Sequence, residues 1–137
     1  MPNKFDGLRA LVVDDYENTR RKLVTELQKN GLIVVEAVNG VNALDILRKE
    51  KFDMIFTDIV MPEMDGFELC EEVRKIPELR ATPIVVVSTH VDSNYIIKAL
   101  RTGADDYLSK PIEPELVGRV ISRIMTPVVP ASQQGQE

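Results

Sequence analysis

Short apolar runs alternating with helically periodic stretches constrain this chain more than any other feature. The runs cover residues 10–13 (Ala-Leu-Val-Val), 32–35 (Leu-Ile-Val-Val), 54–56 (Met-Ile-Phe), 84–87 (Ile-Val-Val-Val) and the brief pair Tyr107 and Leu108. None shows the strict alternation of a strand with one wet face. Continuous apolar runs fit strands covered on both sides, which is the condition of a parallel sheet.

The stretches between them read as amphipathic helices. The first spans 17–30, with Arg20, Leu23, Val24 and Leu27 on one face and Gly31 as its C-cap. The second, 41–50, groups Val41, Leu44 and Leu47, and the third, 66–76, groups Leu69, Cys70, Val73 and Ile76. The fourth, 93–102, turns Ile96, Ile97 and Leu100 inward and ends at Gly103. The last begins at Pro114, a residue suited to a first helical turn, and packs Val117, Val120, Ile121 and Ile124. Gly118 inside it costs about 1 kcal/mol relative to Ala, which predicts close packing at that point. The pattern is (βα)5. Parallel strands joined by right-handed crossovers give an α/β fold, a doubly wound three-layer sandwich. At 137 residues one domain is expected, over residues 1–125. From Thr126 the helical period stops, so 126–137 reads as a flexible C-terminal tail or the start of a linker.

Composition excludes several classes of function. The chain has 22 acidic and 17 basic residues, a formal charge of −5. That sign disfavours non-specific nucleic-acid binding. Trp is absent, which removes the best platform for stacking single-stranded bases. Cys70, the sole cysteine, forms no intramolecular bridge and no Cys-rich zinc site, and it reads as core packing. No apolar run approaches the roughly 18 residues a membrane span requires. The first residues lack the apolar stretch of a secretory signal, so a cytoplasmic location is expected.

In an open parallel sheet, ligands sit beyond the carboxyl ends of the strands. The residues there carry chemistry: Asp14 and Asp15 after the first strand, Asp58 after the third, Ser88 at the end of the fourth, and Lys110-Pro111 after the fifth. Three carboxylates brought together repel one another, and a hard divalent cation relieves that repulsion. Mg²⁺ suits a site of few carboxylates with water completing its shell. Lys110 adds a second positive charge and Ser88 a hydrogen bond, a set suited to holding a phosphoryl group. Asp58, alone at its strand end, is the best placed nucleophile, and Asp14 with Asp15 makes the better cation pair.

These residues resemble the receiver domain of two-component response regulators. The matching segments are Val12-Val13-Asp14-Asp15, Thr57-Asp58 through Asp65-Gly66, Pro83-Ile84 through Ser88, and Gly103-Ala104 through Lys110-Pro111. The resemblance covers about residues 8–125, in order and spacing. It implies a flavodoxin-like sheet in the order 2-1-3-4-5. It implies that Asp58 accepts a phosphoryl group from a phosphohistidine on a sensor histidine kinase or histidine phosphotransfer protein. Asp15, Asp58 and the backbone carbonyl of Val60 would ligate Mg²⁺ directly, with Asp14 acting largely through water. Lys110 would pair with the phosphoryl oxygens and Ser88 would move toward them. Tyr107 would then change rotamer and alter the face made by the fourth helix, fifth strand and fifth helix, where a downstream effector docks. Such a domain catalyses its own phosphorylation and dephosphorylation and is not an enzyme of other substrates. The Lys110–Pro111 bond is cis in the family.

The sequence departs from the family pattern at Ser88, where Thr is commoner, and at Ile112, where Phe is usual. Val60 and His90 fall at variable positions that tune phosphoryl lifetime. Several residues carry two readings. Gly66 is a plain turn residue or part of the phosphorylation loop. Met61 and Met64 shape that loop. Asp105, Asp106, Arg119 and Arg123 are a solvated charged face or the cross-subunit pairs of a homodimer. His90, the only histidine, lacks a partner at metal-ligand spacing. A Mg²⁺-dependent hydrolase with an aspartyl-phosphate intermediate is the enzymatic alternative. It would want an acid two residues past the nucleophile, where Val60 stands. The chain also fits either a stand-alone messenger or the receiver portion of a larger response regulator or hybrid kinase.

Overall fold

The computed structural model describes residues 5–90 and 92–125, so the segment read as a tail or linker lies outside the described residues. Its strands are β1 (Arg9–Val13), β2 (Ile33–Ala37), β3 (Met54–Thr57), β4 (Ile84–Ser88) and β5 (Asp106–Ser109). Its helices are α1 (Glu17–Lys29), α2 (Gly40–Lys49), α3 (Gly66–Lys75), α4 (Ser93–Thr102) and α5 (Pro114–Met125), with a 3-10 turn at Pro77–Leu79. All pairings are parallel and the strand order is β2-β1-β3-β4-β5, as the resemblance implies.

The apolar runs are continuous because neighbouring residues feed opposite layers. Leu11, Val13, Ile55, Ile84 and Val86 join the core under α2 and α3, with Leu44, Leu47, Leu69 and Val73. Ala10, Val12, Met54, Phe56, Val85 and Val87 join the core under α1 and α5, with Leu23, Leu27, Val117 and Ile121. Cys70 is fully buried in the first of these, and burial pushes its thiol up to about 12, so it packs as a neutral group.

Helix ends follow local chemistry. Asp65 caps α3 by accepting from the Glu68 amide at 2.8 Å, and the Glu68 carboxylate accepts from the Asp65 amide, a complete capping box. Gly103 closes α4 at φ 118°, a left-handed conformation that disfavours a side chain.

Three expectations about helix faces need correcting. Val41 is 51% exposed, because Gly40 faces inward in its place: a Cβ on Gly40 would lie 2.8 Å from the Met64 side chain. Ile97 and Leu100 of α4 are 45% and 49% exposed, and Ala99 is the buried residue of that helix. Gly118 is not forced by close packing, since a Cβ there would meet only Asn30 Oδ1 at an ordinary 3.5 Å.

Candidate functional site at the carboxyl edge of the sheet

Register brings the site together. Val13 of β1 pairs with Ala37 and with Thr57 of β3, so Asp14 and Asp58 leave adjacent strands at the same level. Their amides continue the ladder: Asp14 donates to the Ala37 carbonyl at 3.1 Å and Asp58 to the Val13 carbonyl at 2.9 Å. Ser88 pairs with Ser109, and the Lys110 amide donates to the Ser88 carbonyl at 2.9 Å. The Lys110–Pro111 bond is cis.

Asp14 is buried, Asp15 exposed and Asp58 between them, and one carboxylate oxygen from each lies within 4.8 Å of the others. Lys110 Nζ reaches into this cluster, 2.9 Å from Asp14 Oδ2 and 3.2 Å from Asp58 Oδ2. The Asp58 carboxyl is raised above its ordinary value, mainly by burial. The Lys110 charge pulls it back, and the Asp14 charge pushes it further up. Asp58 Oδ1 accepts from the Ile59 amide at 2.7 Å, which fixes the carboxylate plane. An all-oxygen donor set of this size fits a small hard dication such as Mg²⁺.

The loop behind Asp58 is tight. Gly66 donates to the Ile59 carbonyl at 2.7 Å, and a Cβ on Gly66 would stand 2.2 Å from the Asp58 carbonyl oxygen. Of its two readings, part of this loop is the one the packing supports. Glu63 takes a positive φ of 69°, an uncommon backbone for a side-chain-bearing residue. Met61 is buried and Met64 covers Gly40, so both shape the loop. The Val60 side chain points to solvent, 60% exposed.

On the far side, Ser88 is buried and its Oγ accepts from the His90 amide at 3.1 Å. The Tyr107 hydroxyl donates to the His90 carbonyl. The His90 ring stacks on Tyr95 of α4, with centroids 4.4 Å apart. Asp106 pairs with Arg123 at 2.6 Å and Asp105 with Arg74 at 2.9 Å. Three of the four residues read as a solvated face or as cross-subunit pairs therefore form ion pairs within the chain.

Sequence reasoning missed Thr19, Arg20 and Tyr95. Thr19 Oγ1 donates to Asp14 Oδ2 at 2.7 Å, and Arg20 Nη1 donates to the Asp14 carbonyl at 3.0 Å. The signal for both was their place in the first turn of the helix that follows the acidic pair.

A parallel α/β sheet with acids, a hydroxyl and a lysine on its carboxyl edge defines a doubly wound protein with an acidic edge site. The response regulator receiver domain family matches residues 10–122, and the chain belongs to that family, the receivers of two-component signalling. It is 35% identical to Protein PilH of Pseudomonas aeruginosa over 117 residues, 85% of this chain and 97% of that protein. Protein PilG of the same organism is 33% identical over 131 residues, 93% of this chain and 97% of the relative. The chemotaxis response regulator CheY4 of Vibrio cholerae superposes with a TM-score of 0.82 at 32% identity, covering 87% of this chain and 99% of that one.

Proposed function

We propose that the chain is a phosphorylation-controlled switch whose phosphoacceptor is Asp58. The observation that carries this reading is the position of Lys110 Nζ between Asp14 Oδ2 and Asp58 Oδ2, beside three converging carboxylates. The phosphoryl donor is a phosphohistidine on a sensor kinase or phosphotransfer protein. Asp58 attacks phosphorus, the P–N bond breaks, an Asp58 O–P bond forms, and the imidazole leaves with the electron pair and takes up a proton.

Asp15, Asp58 and the Val60 carbonyl would hold Mg²⁺. Asp14 would act through water, because Oδ1 already accepts from the Tyr16 amide at 2.9 Å and Oδ2 from Thr19 and Lys110. The ion supplies positive charge that offsets the carboxylates and the arriving phosphoryl oxygens. Lys110 adds its own positive charge beside Asp58. Ser88 gives up the His90 amide to reach a phosphoryl oxygen, and Tyr107, tied to the carbonyl of the same residue, follows it. The exposed Ile97 and Leu100 of α4 then form part of the effector surface with β5 and α5. The cytoplasm, where kinase and effector meet, is the location this reading implies.

The test is incubation of the chain with Mg²⁺ and acetyl phosphate, read by intact mass. One added phosphoryl group is expected, and none on Asp58→Asn. Labelling of Asp58→Asn at the native rate would move the nucleophile elsewhere.

A further inference from the structure

We infer that Thr19 is a positioning residue for phosphoryl transfer, holding the Lys110 ammonium over Asp58 Oδ2; this rests on Asp58 being the phosphoacceptor. The ammonium has three N–H groups and three oxygen partners: Asp14 Oδ2 at 2.9 Å, Asp58 Oδ2 at 3.2 Å and Thr19 Oγ1 at 3.3 Å. Lys110 side-chain exposure is 10%, so these groups, rather than bulk water, set where it sits. A lysine stem is flexible and its point charge has no directional fork, so its aim depends on the groups around it.

Thr19 suits that task for two reasons. It is the third residue of α1, so the helix fixes its Cβ, and β-branching restricts its rotamer. Its hydroxyl also closes a ring. It donates to Asp14 Oδ2 at 2.7 Å while accepting from Lys110, and Asp14 Oδ2 itself accepts from Lys110. One oxygen thereby orders both the Asp14 carboxylate and the Lys110 ammonium beside Asp58.

The same hydroxyl has a second acceptor, the Tyr16 carbonyl at 3.2 Å. When Lys110 turns from Asp14 toward a phosphoryl oxygen, the Thr19 hydroxyl still donates to Asp14 Oδ2 and keeps that buried carboxylate oxygen partnered. Thr19 therefore holds the lysine before transfer and releases it afterwards at little cost. A hydroxyl at this position does both, and an apolar side chain does neither.

The experiment uses the full 137-residue chain with acetyl phosphate and a Mg²⁺ titration, comparing Thr19→Val and Thr19→Ser with the native protein. Thr19→Val is expected to lower the phosphorylation rate at saturating Mg²⁺ roughly tenfold, the worth of one charge-assisted hydrogen bond. Its half-saturating Mg²⁺ should stay within about twofold of native, and Thr19→Ser should restore the rate to within about twofold. Thermal unfolding is followed for each variant, and Thr19→Ala replaces Thr19→Val if the latter fails to fold. A native rate in Thr19→Val overturns the inference. So does a Thr19→Ser variant as slow as Thr19→Val, which would assign the effect to the methyl group. A Mg²⁺ requirement that shifts in step with the rate overturns it too, by moving the effect from Lys110 to the ion. Failure of the native chain to take up phosphoryl on Asp58 is a separate result and removes the phosphoacceptor reading itself.

Discussion

Helices α3 and α4 make a controlled comparison. Each has ten residues, each is capped at its start by an aspartate (Asp65 and Asp92), and both lie on the same face of the sheet. Yet α3 buries Gly66, Phe67, Leu69, Cys70 and Val73, whereas α4 buries Ala99. The strands that lead into them do not differ, β3 being buried at all four positions and β4 at all five, so the contrast lies in the helices. Asp58, the phosphoacceptor we propose, follows a strand and precedes a helix that are locked into the core. The segment bearing Ser88 and His90 leads into α4, on which Ile97 and Leu100 face outward. An acceptor needs fixed geometry, while a surface that must change its binding partners needs fewer contacts to break.

The largest test of that contrast truncates one leucine in each helix. Leu69→Ala in α3 should cost about 3 kcal/mol in urea unfolding, the usual range for a filled core site. Leu100→Ala in α4 should fall within about 0.5 kcal/mol of native. Comparable losses at both would dissolve the distinction.

Gly66→Ala probes the joint between α3 and Asp58. Its Cβ would stand 2.2 Å from the Asp58 carbonyl oxygen, and backbone must shift to admit it. A loss of about 2 kcal/mol is expected, together with slower phosphorylation, because the displaced atom belongs to Asp58 itself. A variant that unfolds and labels as the native chain does would show that the loop yields freely.

The smallest effect is electrostatic. The Asp58 carboxyl is raised above its ordinary value of 3.8, so ionising it weighs against the folded state. The stability held with the protonated group is complete below that ordinary value and is lost as pH rises through the raised one. Asp58→Asn does not ionise and keeps an acceptor for the Ile59 amide. Without divalent cation it should melt higher than native at neutral pH, and the gap should close toward pH 3.8. Mg²⁺ should narrow the gap at neutral pH by stabilising the native chain alone. A native chain that melts higher at neutral pH without cation would mean that Lys110 outweighs burial at Asp58.

Much of this was readable in the residues. The apolar runs located each strand to within two residues or so, since a doubly covered strand has no polar face to interrupt the run. β2 ran on to Ala37 because edge position lets Glu36 take part, with its carboxylate on Arg20 and Arg21. The convergence of Asp14, Asp15, Asp58, Ser88 and Lys110 followed from strand ends alone, because parallel strands deliver their carboxyl ends to one edge. Helical period failed at Val41, Ile97 and Leu100. Periodicity reports that apolar residues share a side, and not whether anything covers that side.

The amino-acid order alone determined the layered architecture, the chemistry of the edge and its family, because these depend on pattern and spacing along the chain. Only the tertiary structure decided how the charges are shared out. Thr19 meets Lys110 across 91 residues, and Arg74 reaches the Gly103 carbonyl and the Asp105 carboxylate some thirty residues on. Such contacts depend on distances of a few ångströms between side chains remote in sequence, and no local preference encodes them.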